Sequence, residues 1–341
     1  MKNNTGKRSW PSESIVAVFV FLIINVLTIS SPATFVLAPV LLPVFLLYVL
    51  AANGLNIFLI TAGVGLIPYV LLGDGRATVA MLIPIILMAV VQYLIILYRP
   101  KAPWAMLATT LAALLGIVIN GYISIYVLQG SDFWAFSTQI AQSIQNELLA
   151  TLSNGTYEVP PSQADSIRQL SSTITTEFIQ DLIPGIVISW SMVSGYLSLR
   201  FAKRFLNFEH FKAVDLPTFG KLRINPFLLA LFLAMSGSGI FLTQNNKRLS
   251  SLLFNTGFGV ITFLGAIGAM SLIWDYLTVN LHYKRSFPKL VFTLASLYFF
   301  SGSWMTLLTI IDSVFDFRNT SGSSLWHWIR FKITQMTKEA D

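Results

Sequence analysis

The chain is built from repeated apolar runs of about 20 residues, the length that spans a bilayer as a helix. The central run, residues 181–204 (DLIPGIVISWSMVSGYLSLRFAKR), follows an acidic segment and ends on Arg200, Lys203 and Arg204. An apolar run that ends on a basic cluster is typical of a membrane helix that leaves the bilayer on the cytoplasmic side. The pattern therefore predicts a span that enters from outside and ends inside.

Five apolar runs precede residue 130 and predict an N-terminal membrane region over residues 1–129. These runs are 14–29, 34–51, 55–72, 77–98 and 104–128. Prolines lie inside the second, third and fourth runs, at Pro39, Pro43, Pro68 and Pro84. An internal proline removes a backbone donor and clashes with the preceding turn, so we expect kinks or breaks there. The carbonyl groups freed by a kink must face protein or a water-filled cavity, which predicts an interior space among these spans.

The segment 130–181 is polar and acidic, and it predicts an extracytoplasmic insert. It contains six acidic residues and one basic residue, Arg168, whereas residues 199–223 contain six basic and two acidic residues. Basic residues concentrate in cytoplasmic loops, so the insert belongs on the opposite side of the membrane from 199–223.

Within the insert, apolar residues recur at spacings of three and four in two stretches, 133–152 and 167–178. This periodicity predicts two amphipathic helices. The second helix would begin at a capping box formed by Ser162 and Asp165. The apolar faces would lie on the outer leaflet, pack on each other, or cap the opening between the spans.

Four further runs predict a C-terminal membrane region over residues 182–313. They are the central run, 225–242, a long run that ends near 280, and 286–311. Pro184, Pro226 and Pro288 lie at the expected beginnings of three of these helices, where a missing donor costs nothing. The C-terminal spans should therefore be straighter than the N-terminal ones.

A count of about nine spans sets the expected topology. Lys2, Lys7 and Arg8 precede the first run and predict a cytoplasmic N-terminus. Nine spans place the amphipathic, basic tail, residues 314–341, outside, with its aromatic stretch 326–333 lying in an interface. The basic residues of this tail favour the cytoplasm, however. A re-entrant pair among the kinked N-terminal runs would give eight spans and move the tail inside.

Composition places the chain among all-α, polytopic membrane proteins. Hydrophobic residues make up 55% of the chain and charged residues 11%, and the mean hydropathy is +0.69. Soluble domains average about 25% charged residues. The net charge of +7 follows from basic cytoplasmic loops and indicates no nucleic-acid partner. Cysteine is absent and only three histidines occur, so we expect neither a metal site nor a cofactor.

Polar residues inside spans are the main functional candidates of a membrane protein. Asn25, Gln92 and Asn120 lie on the first, fourth and fifth spans and are candidates for substrate binding. Hydrogen bonding between helices is the competing interpretation. Small residues on the later spans predict close helix packing, and the main ones are Ser191, Gly195, Gly265 and Gly268.

Charged residues are expected only near the ends of spans. Asp275, Asp312, Asp316 and Arg318 occur where the last two runs end, and we expect them to pair or to anchor at the interface. The lack of a deep charge argues against an ion-coupled pump. The sequence contains no nucleotide-binding or hydrolase motif, so we expect no enzymatic activity.

Several stretches resemble the YybS-like membrane proteins of bacteria. They are the Pro39 and Pro43 pair, the stretch LIPGIVISWSMVSGYLSLRFAKRF, the loop with Leu216 and Pro217 before the Asn225-Pro226 helix start, and DSVFDFR at 312–318. The similarity covers residues 14–318 and implies a multi-pass protein of the bacterial cell membrane. The N-terminal part is also distantly similar to the substrate-binding subunits of energy-coupling-factor importers and to the rod-shape protein MreD.

Two functions remain open at this point. The first is a small-solute binding or transport subunit with a cavity among the kinked N-terminal spans; active import would then require a partner ATPase module, because the chain has no nucleotide-binding motif. The second is a non-transporting scaffold or regulator that docks another membrane protein through the small-residue faces of the sixth to eighth spans. A copurifying solute favours the first, and a protein partner at fixed ratio without an ATPase favours the second.

Overall fold

The computed structural model describes residues 12–30, 32–65, 67–72, 75–153, 160–206, 216–244, 246–279, 281–282, 286–299 and 302–318, which contain helices and no strand. In the first half these are α1 (Ser12–Ser30), α2 (Pro32–Asn53), α3 (Leu55–Val64), α4 (Ile67–Leu72), α5 (Gly75–Tyr98) and α6 (Ala102–Tyr122), which continues as a π-helical segment (Ile123–Leu128). In the second half they are α7 (Phe133–Ser153), α8 (Pro161–Thr173), α9 (Thr176–Leu206), α10 (Pro226–Phe241), α11 (Lys247–Val279), α12 (Ser286–Phe299) and α13 (Gly302–Phe315). Short 3-10 turns occupy Phe219–Lys221 and Leu242–Gln244.

Three helices among the described residues are long and apolar enough to cross a membrane. They are α6 with its π-helical continuation, α9 and α11. Shorter apolar helices of 10–17 residues accompany them, including α10, α12 and α13. The predicted class, an all-α helical membrane protein, is confirmed.

The described residues cluster into two compact units. The first contains residues up to Gln139 together with Trp190–Leu216, and its core is centred on α2. Every residue from 42 to 50 is buried, so α2 is enclosed by protein on all sides in this stretch. Phe21 of α1 and Phe58 of α3 are almost fully buried against this core.

The internal prolines have unequal effects on the helices of the first unit. The third run breaks between Val64 and Ile67, just before Pro68, as the sequence predicts. Helices α2 and α5 continue through Pro39, Pro43 and Pro84 without a break. In α5, Pro84 packs directly against α6, since a Cβ on Gly116 of α6 would lie 2.5 Å from the Cβ of Pro84.

Two predictions about helix beginnings are wrong. Pro184 lies inside α9, which begins at Thr176, rather than at the start of a helix. Helix α8 begins at Pro161 after the N-cap residue Pro160, so its N-cap position is not Ser162, and Asp165 pairs with Arg168. Proline at the first helical position supplies the start signal that we assigned to the capping box.

The second unit contains Ile140–Ser189 and the described residues from Pro217 onward. In the insert, the predicted second stripe is split, because α8 ends at Thr173 and Phe178 belongs to α9. Gln145 of α7 fixes this corner by donating its amide to the carbonyl oxygens of Ile174 at 2.7 Å and Ser171 at 3.3 Å. The apolar face of α7 packs on Ile174 and on the start of α9 through a small core of Ala141, Ile174 and Ile179.

The last apolar run, 286–311, is not a single span but two helices of 14 residues each. Near the start of α12, Lys289 Nζ lies 3.3 Å from the hydroxyl of Thr278, at the end of α11. Gly302, which begins α13, lies beside Thr262, and the Thr309 hydroxyl donates to the carbonyl oxygen of Gly265 at 2.6 Å. Helix α12 therefore runs antiparallel to α11, and α13 runs parallel to α11. Helices α12 and α13 thus form a helical hairpin.

Candidate functional site

One face of α9 in the first unit is lined by small polar side chains. Ser191, Ser194 and Ser198 are fully buried and recur at spacings of three and four, which places them on the same side of the helix. Gly195 lies on this side too, and a Cβ there would lie 3.0 Å from the backbone nitrogen of Thr110 in α6. We call Ser191, Ser194, Gly195 and Ser198 the serine face. Its small side chains let α6 approach the α9 backbone closely.

Gln92 of α5 reaches the serine face from the neighbouring helix. Its Nε2 donates to the hydroxyl of Ser198 at 2.8 Å, and both residues are fully buried. The Oε1 atom of Gln92 is buried without a hydrogen-bond partner among the described residues. An unpaired buried acceptor of this kind costs about 1–3 kcal/mol.

The other two candidate amides bond within their own helices. Asn25 is fully buried and donates to the carbonyl oxygen of Phe21 at 2.7 Å, and its Oδ1 has no partner among the described residues. Asn120 is half-buried and accepts from the Ser124 hydroxyl at 3.2 Å, where α6 passes into the π-helical segment. No hydrogen bond in the described part of the chain joins Asn25, Gln92 or Asn120 to one another.

Gly265 and Gly268 of α11 lie against α13 in the second unit. A Cβ on Gly265 would lie 2.6 Å from the Cα of Thr306, and a Cβ on Gly268 would lie 3.0 Å from the Cβ of Thr309. Neither position has room for a larger side chain without moving α13. We call these two glycines and two threonines the hairpin seam.

A buried carboxylate, Asp181, lies inside α9 near its start. The Nη1 atom of Arg248 in α11 is 2.9 Å from Asp181 Oδ1, and the hydroxyl of Ser251 donates to Oδ2. Arg248 Nη2 also donates to Gln180 Oε1 at 2.6 Å. The sequence analysis placed Asp181 at the end of a solvated insert, whereas only 3% of its side chain is exposed.

A second charged network, which we call the C-terminal clamp, holds the end of α13 against α11 and the loop before α10. Arg318 pairs with Asp312, and Arg223 Nη1 lies 3.1 Å from Asp316 Oδ2. Arg318 Nη1 also donates to the hydroxyl of Ser271 at 2.7 Å and to the carbonyl oxygen of Gly220 at 2.6 Å. Both side chains of the Arg318–Asp312 pair are 4% exposed. The expectation that these residues pair holds; the idea that they anchor at a water-exposed interface does not, because protein covers them.

Comparison with known proteins adds one finding to this geometry. Residues 17–313 match the family model described as predicted membrane protein (DUF2232). The chain belongs to this family. No curated protein and no solved structure matches it. As a DUF2232 member it is a membrane protein, in agreement with its apolar helices.

Sequence reasoning missed two long-range ion pairs of this DUF2232 protein, Asp181–Arg248 and Arg223–Asp316. Asp181 and Arg248 are 67 residues apart, and Arg223 and Asp316 are 93 residues apart, so no local pattern could pair them. One signal was available, however. Basic residues at 247 and 248 contradicted the predicted side of their loop, and such a conflict indicates a charge that has a partner within the protein.

Proposed function

We propose that this membrane protein is a small-solute binding or transport subunit whose site lies where Gln92 meets the serine face. The observation that supports this most is the unused Oε1 acceptor of a fully buried glutamine. Buried polar groups are normally satisfied, and each exception needs an explanation. A solute that donates an N–H or O–H group to Oε1 would supply the missing partner.

The chemistry around Gln92 favours a neutral, polar solute. The serine face offers hydroxyl groups, and the hydroxyl of Ser194 already bonds to the Trp190 carbonyl oxygen at 2.8 Å. An amide and hydroxyls can satisfy the donors and acceptors of an uncharged molecule. They compensate poorly for a buried ion, whose desolvation costs far more.

Interrupted helices favour the same proposal. Among the described residues, an apolar run of the first unit is divided into α3 and α4, and one of the second unit is divided into α12 and α13. Transporters commonly build their binding sites from discontinuous helices at related positions in two halves of the chain.

Active transport by this subunit would need a partner ATPase module. The sequence carries no nucleotide-binding loop of its own, so coupling to ATP would come from a second protein. The basic loop after α9 and the small-residue faces of the later helices are the regions from which such a partner could be engaged.

The decisive experiment compares the wild-type protein with Gln92→Leu. Both are purified in mild detergent, and mass spectrometry identifies the small molecules that each one releases. Leucine has nearly the volume of glutamine, so we expect Gln92→Leu to stay folded and to lose the copurifying solute. Thr61→Val is the matched control, because Thr61 is also buried in the first unit and its hydroxyl bonds to the Ile57 carbonyl oxygen of its own helix.

The same preparation separates the two candidate functions. A solute retained equally by wild type, Gln92→Leu and Thr61→Val would remove Gln92 from the site. A membrane protein partner recovered at fixed ratio, with neither a solute nor an ATPase, would instead support a scaffold or regulator.

A further inference from the structure

We propose that α12 and α13 form a re-entrant hairpin that enters the membrane from the cytoplasmic side and returns to it, and that the C-terminal clamp latches this hairpin against α11. The proposal concerns a movable element of the second unit and does not depend on which solute, if any, Gln92 binds.

The register along α11 establishes the path of the hairpin. Thr278 contacts α12 near its beginning, Thr262 lies beside the first residue of α13, and Ser271 bonds to Arg318 just beyond the end of α13. As the chain passes through α12 and α13, the contacted residues of α11 therefore run from Thr278 to Thr262 and then back to Ser271. At 1.5 Å per residue, the tip of the hairpin beside Thr262 lies about 24 Å along α11 from the start of α12 and about 14 Å from the contact of Arg318.

The length of the two legs agrees with a re-entrant path. Each leg has 14 residues, which corresponds to about 21 Å of helix, whereas the hydrocarbon core is about 30 Å thick. Neither leg crosses the bilayer by itself. Gly302, the first residue of α13, lies against Thr262 of α11 rather than in lipid.

The feet lie beside the basic loop that precedes α10. A Cβ on Gly220 would lie 3.1 Å from the Trp274 ring, and Arg318 bonds to the carbonyl oxygen of Gly220. This loop also carries Lys221 and Arg223 and belongs to the stretch whose charge predicts a cytoplasmic position. A hairpin with both feet here places Arg318 on the cytoplasmic side as well, which resolves the conflict over the basic tail.

The clamp has the properties of a latch rather than of a permanent bond. The four residues of the hairpin seam beneath it are small, although Met305 of α13 is also almost fully buried. The clamp itself is incompletely satisfied, because Asp312 Oδ1, Arg318 Nε and Arg223 Nε have no hydrogen-bond partner among the described residues. A buried charge network with unpaired atoms contributes little net stability, so we expect opening it to cost less free energy than unfolding the protein.

Disulfide trapping tests the path of the hairpin, and the absence of cysteine makes the chain ready for it. Gly268→Cys with Thr309→Cys should form a disulfide after α13 moves outward by about 0.8 Å, because the two Cβ positions are 3.0 Å apart and a disulfide separates them by about 3.8 Å. An unbroken span antiparallel to α11 would place Thr309 near Asn255 instead. A disulfide between Asn255→Cys and Thr309→Cys, without one at Gly268, would overturn the hairpin.

Thiol labelling tests the latch. Thr309→Cys is a near-isosteric single cysteine at a position that is 3% exposed, and a membrane-permeant maleimide should label it slowly in native membranes. Arg318→Gln should raise this rate about tenfold or more, because labelling follows the population of the open hairpin. Arg168→Gln, which removes an exposed cation of the insert, is the control and should leave the rate unchanged.

A second reporter separates local opening from general unfolding. Ser250→Cys places a thiol at another buried position, where the native serine bonds to the Gly239 carbonyl oxygen in the α10–α11 contact, away from the hairpin. The proposal requires that Arg318→Gln expose the thiol of the Thr309→Cys reporter while the thiol of the Ser250→Cys reporter stays protected. Equal exposure of both reporters, or no change in the Thr309→Cys reporter, would each contradict a latch.

Discussion

Arg248 joins three oxygen atoms of α9 while its own side chain remains 47% exposed. Its guanidinium meets the carboxylate of Asp181, the amide of Gln180 and, at 3.4 Å, the carbonyl oxygen of Glu177. Removing the cation would leave a buried carboxylate whose hydrogen-bond partner among the described residues is the Ser251 hydroxyl. The pair therefore holds the start of α11 to the start of α9 within the second unit.

A double-mutant cycle measures this pair. Arg248→Met should lower the free energy of unfolding by about 2 kcal/mol, less than for a fully buried pair because water screens the half-exposed guanidinium. Asp181→Asn in the Arg248→Met background should restore part of the loss, since no uncompensated charge then remains. Thermal unfolding in detergent micelles provides the measurement.

The control for this cycle is the Arg168–Asp165 pair of the insert, whose side chains are 65% and 76% exposed. Arg168→Gln should change the free energy of unfolding by less than about 0.5 kcal/mol, as is usual for surface ion pairs. A coupling energy near zero for Asp181 and Arg248 would mean that water, and not the guanidinium, satisfies the carboxylate.

At the scale of helices, glycine decides how closely neighbours approach. Gly239 and Gly257 let α10 lie directly on α11, and Gly265 and Gly268 do the same for α13. Gly237 and Gly259 lie on the same two helices with no atom within 4 Å of an added Cβ. Identical residues in one helix thus have opposite tolerance to substitution.

The substitution Gly268→Val should displace α13 and destabilise the protein by about 1–3 kcal/mol, the usual cost of overpacking. Gly259→Ala in the same helix should be neutral or should stabilise by up to about 1 kcal/mol, because alanine favours the helix and meets open space. Melting temperatures of the two variants should therefore move in different directions. A fall of equal size in both would indicate that α11 tolerates no change at all.

The sequence predicted helices well and their interruptions only in part. Periodic apolar runs and flanking charge located α1, α2, α5, α6 and α10. The break before Pro68 followed from proline chemistry, but the break between α12 and α13 was missed, because residues 301–303, Ser-Gly-Ser, contain no proline. Small polar residues in the middle of an apolar run are an ambiguous signal, since they also mark close packing between straight helices.

For the whole molecule, eight crossings with a re-entrant hairpin reconcile the charge pattern better than nine crossings. With eight crossings, the charge pattern predicts that the N-terminus, the basic loop at 99–101, the stretch 199–223 and Arg318 share the cytoplasmic side and that the acidic insert lies outside. This prediction leaves the cations at 247 and 248 on the outer side, and the ion pair between Arg248 and Asp181 accounts for one of them.

This topology predicts the labelling of single cysteines by a membrane-impermeant maleimide in intact cells. Thr151→Cys, on an exposed position of α7, should react from outside. Lys221→Cys, exposed in the loop before α10, should react only after the membrane is permeabilised. Reaction of both positions from the same side would show that the charge bias has been assigned to the wrong face.

The residues of the candidate site could be predicted from the sequence, but the contacts between them could not. Asn25 and Gln92 were predicted because they are polar residues inside apolar runs, and each has a buried amide oxygen without a hydrogen-bond partner among the described residues. That Gln92 bonds to Ser198, 106 residues away, depends on how α5 packs beside α9. Periodicity specifies which face of a helix is buried, and it carries no information about which helix covers that face.

The length of α11 makes its tilt depend on the thickness of the bilayer. Its 33 residues correspond to about 50 Å of helix, well beyond a hydrocarbon core of about 30 Å. The excess must be accommodated by tilt or by turns that lie among the lipid headgroups. Because α10 and α13 pack closely on α11, a thinner membrane that increases its tilt would carry both neighbours with it, and lipid composition would thereby act on the hairpin from a distance.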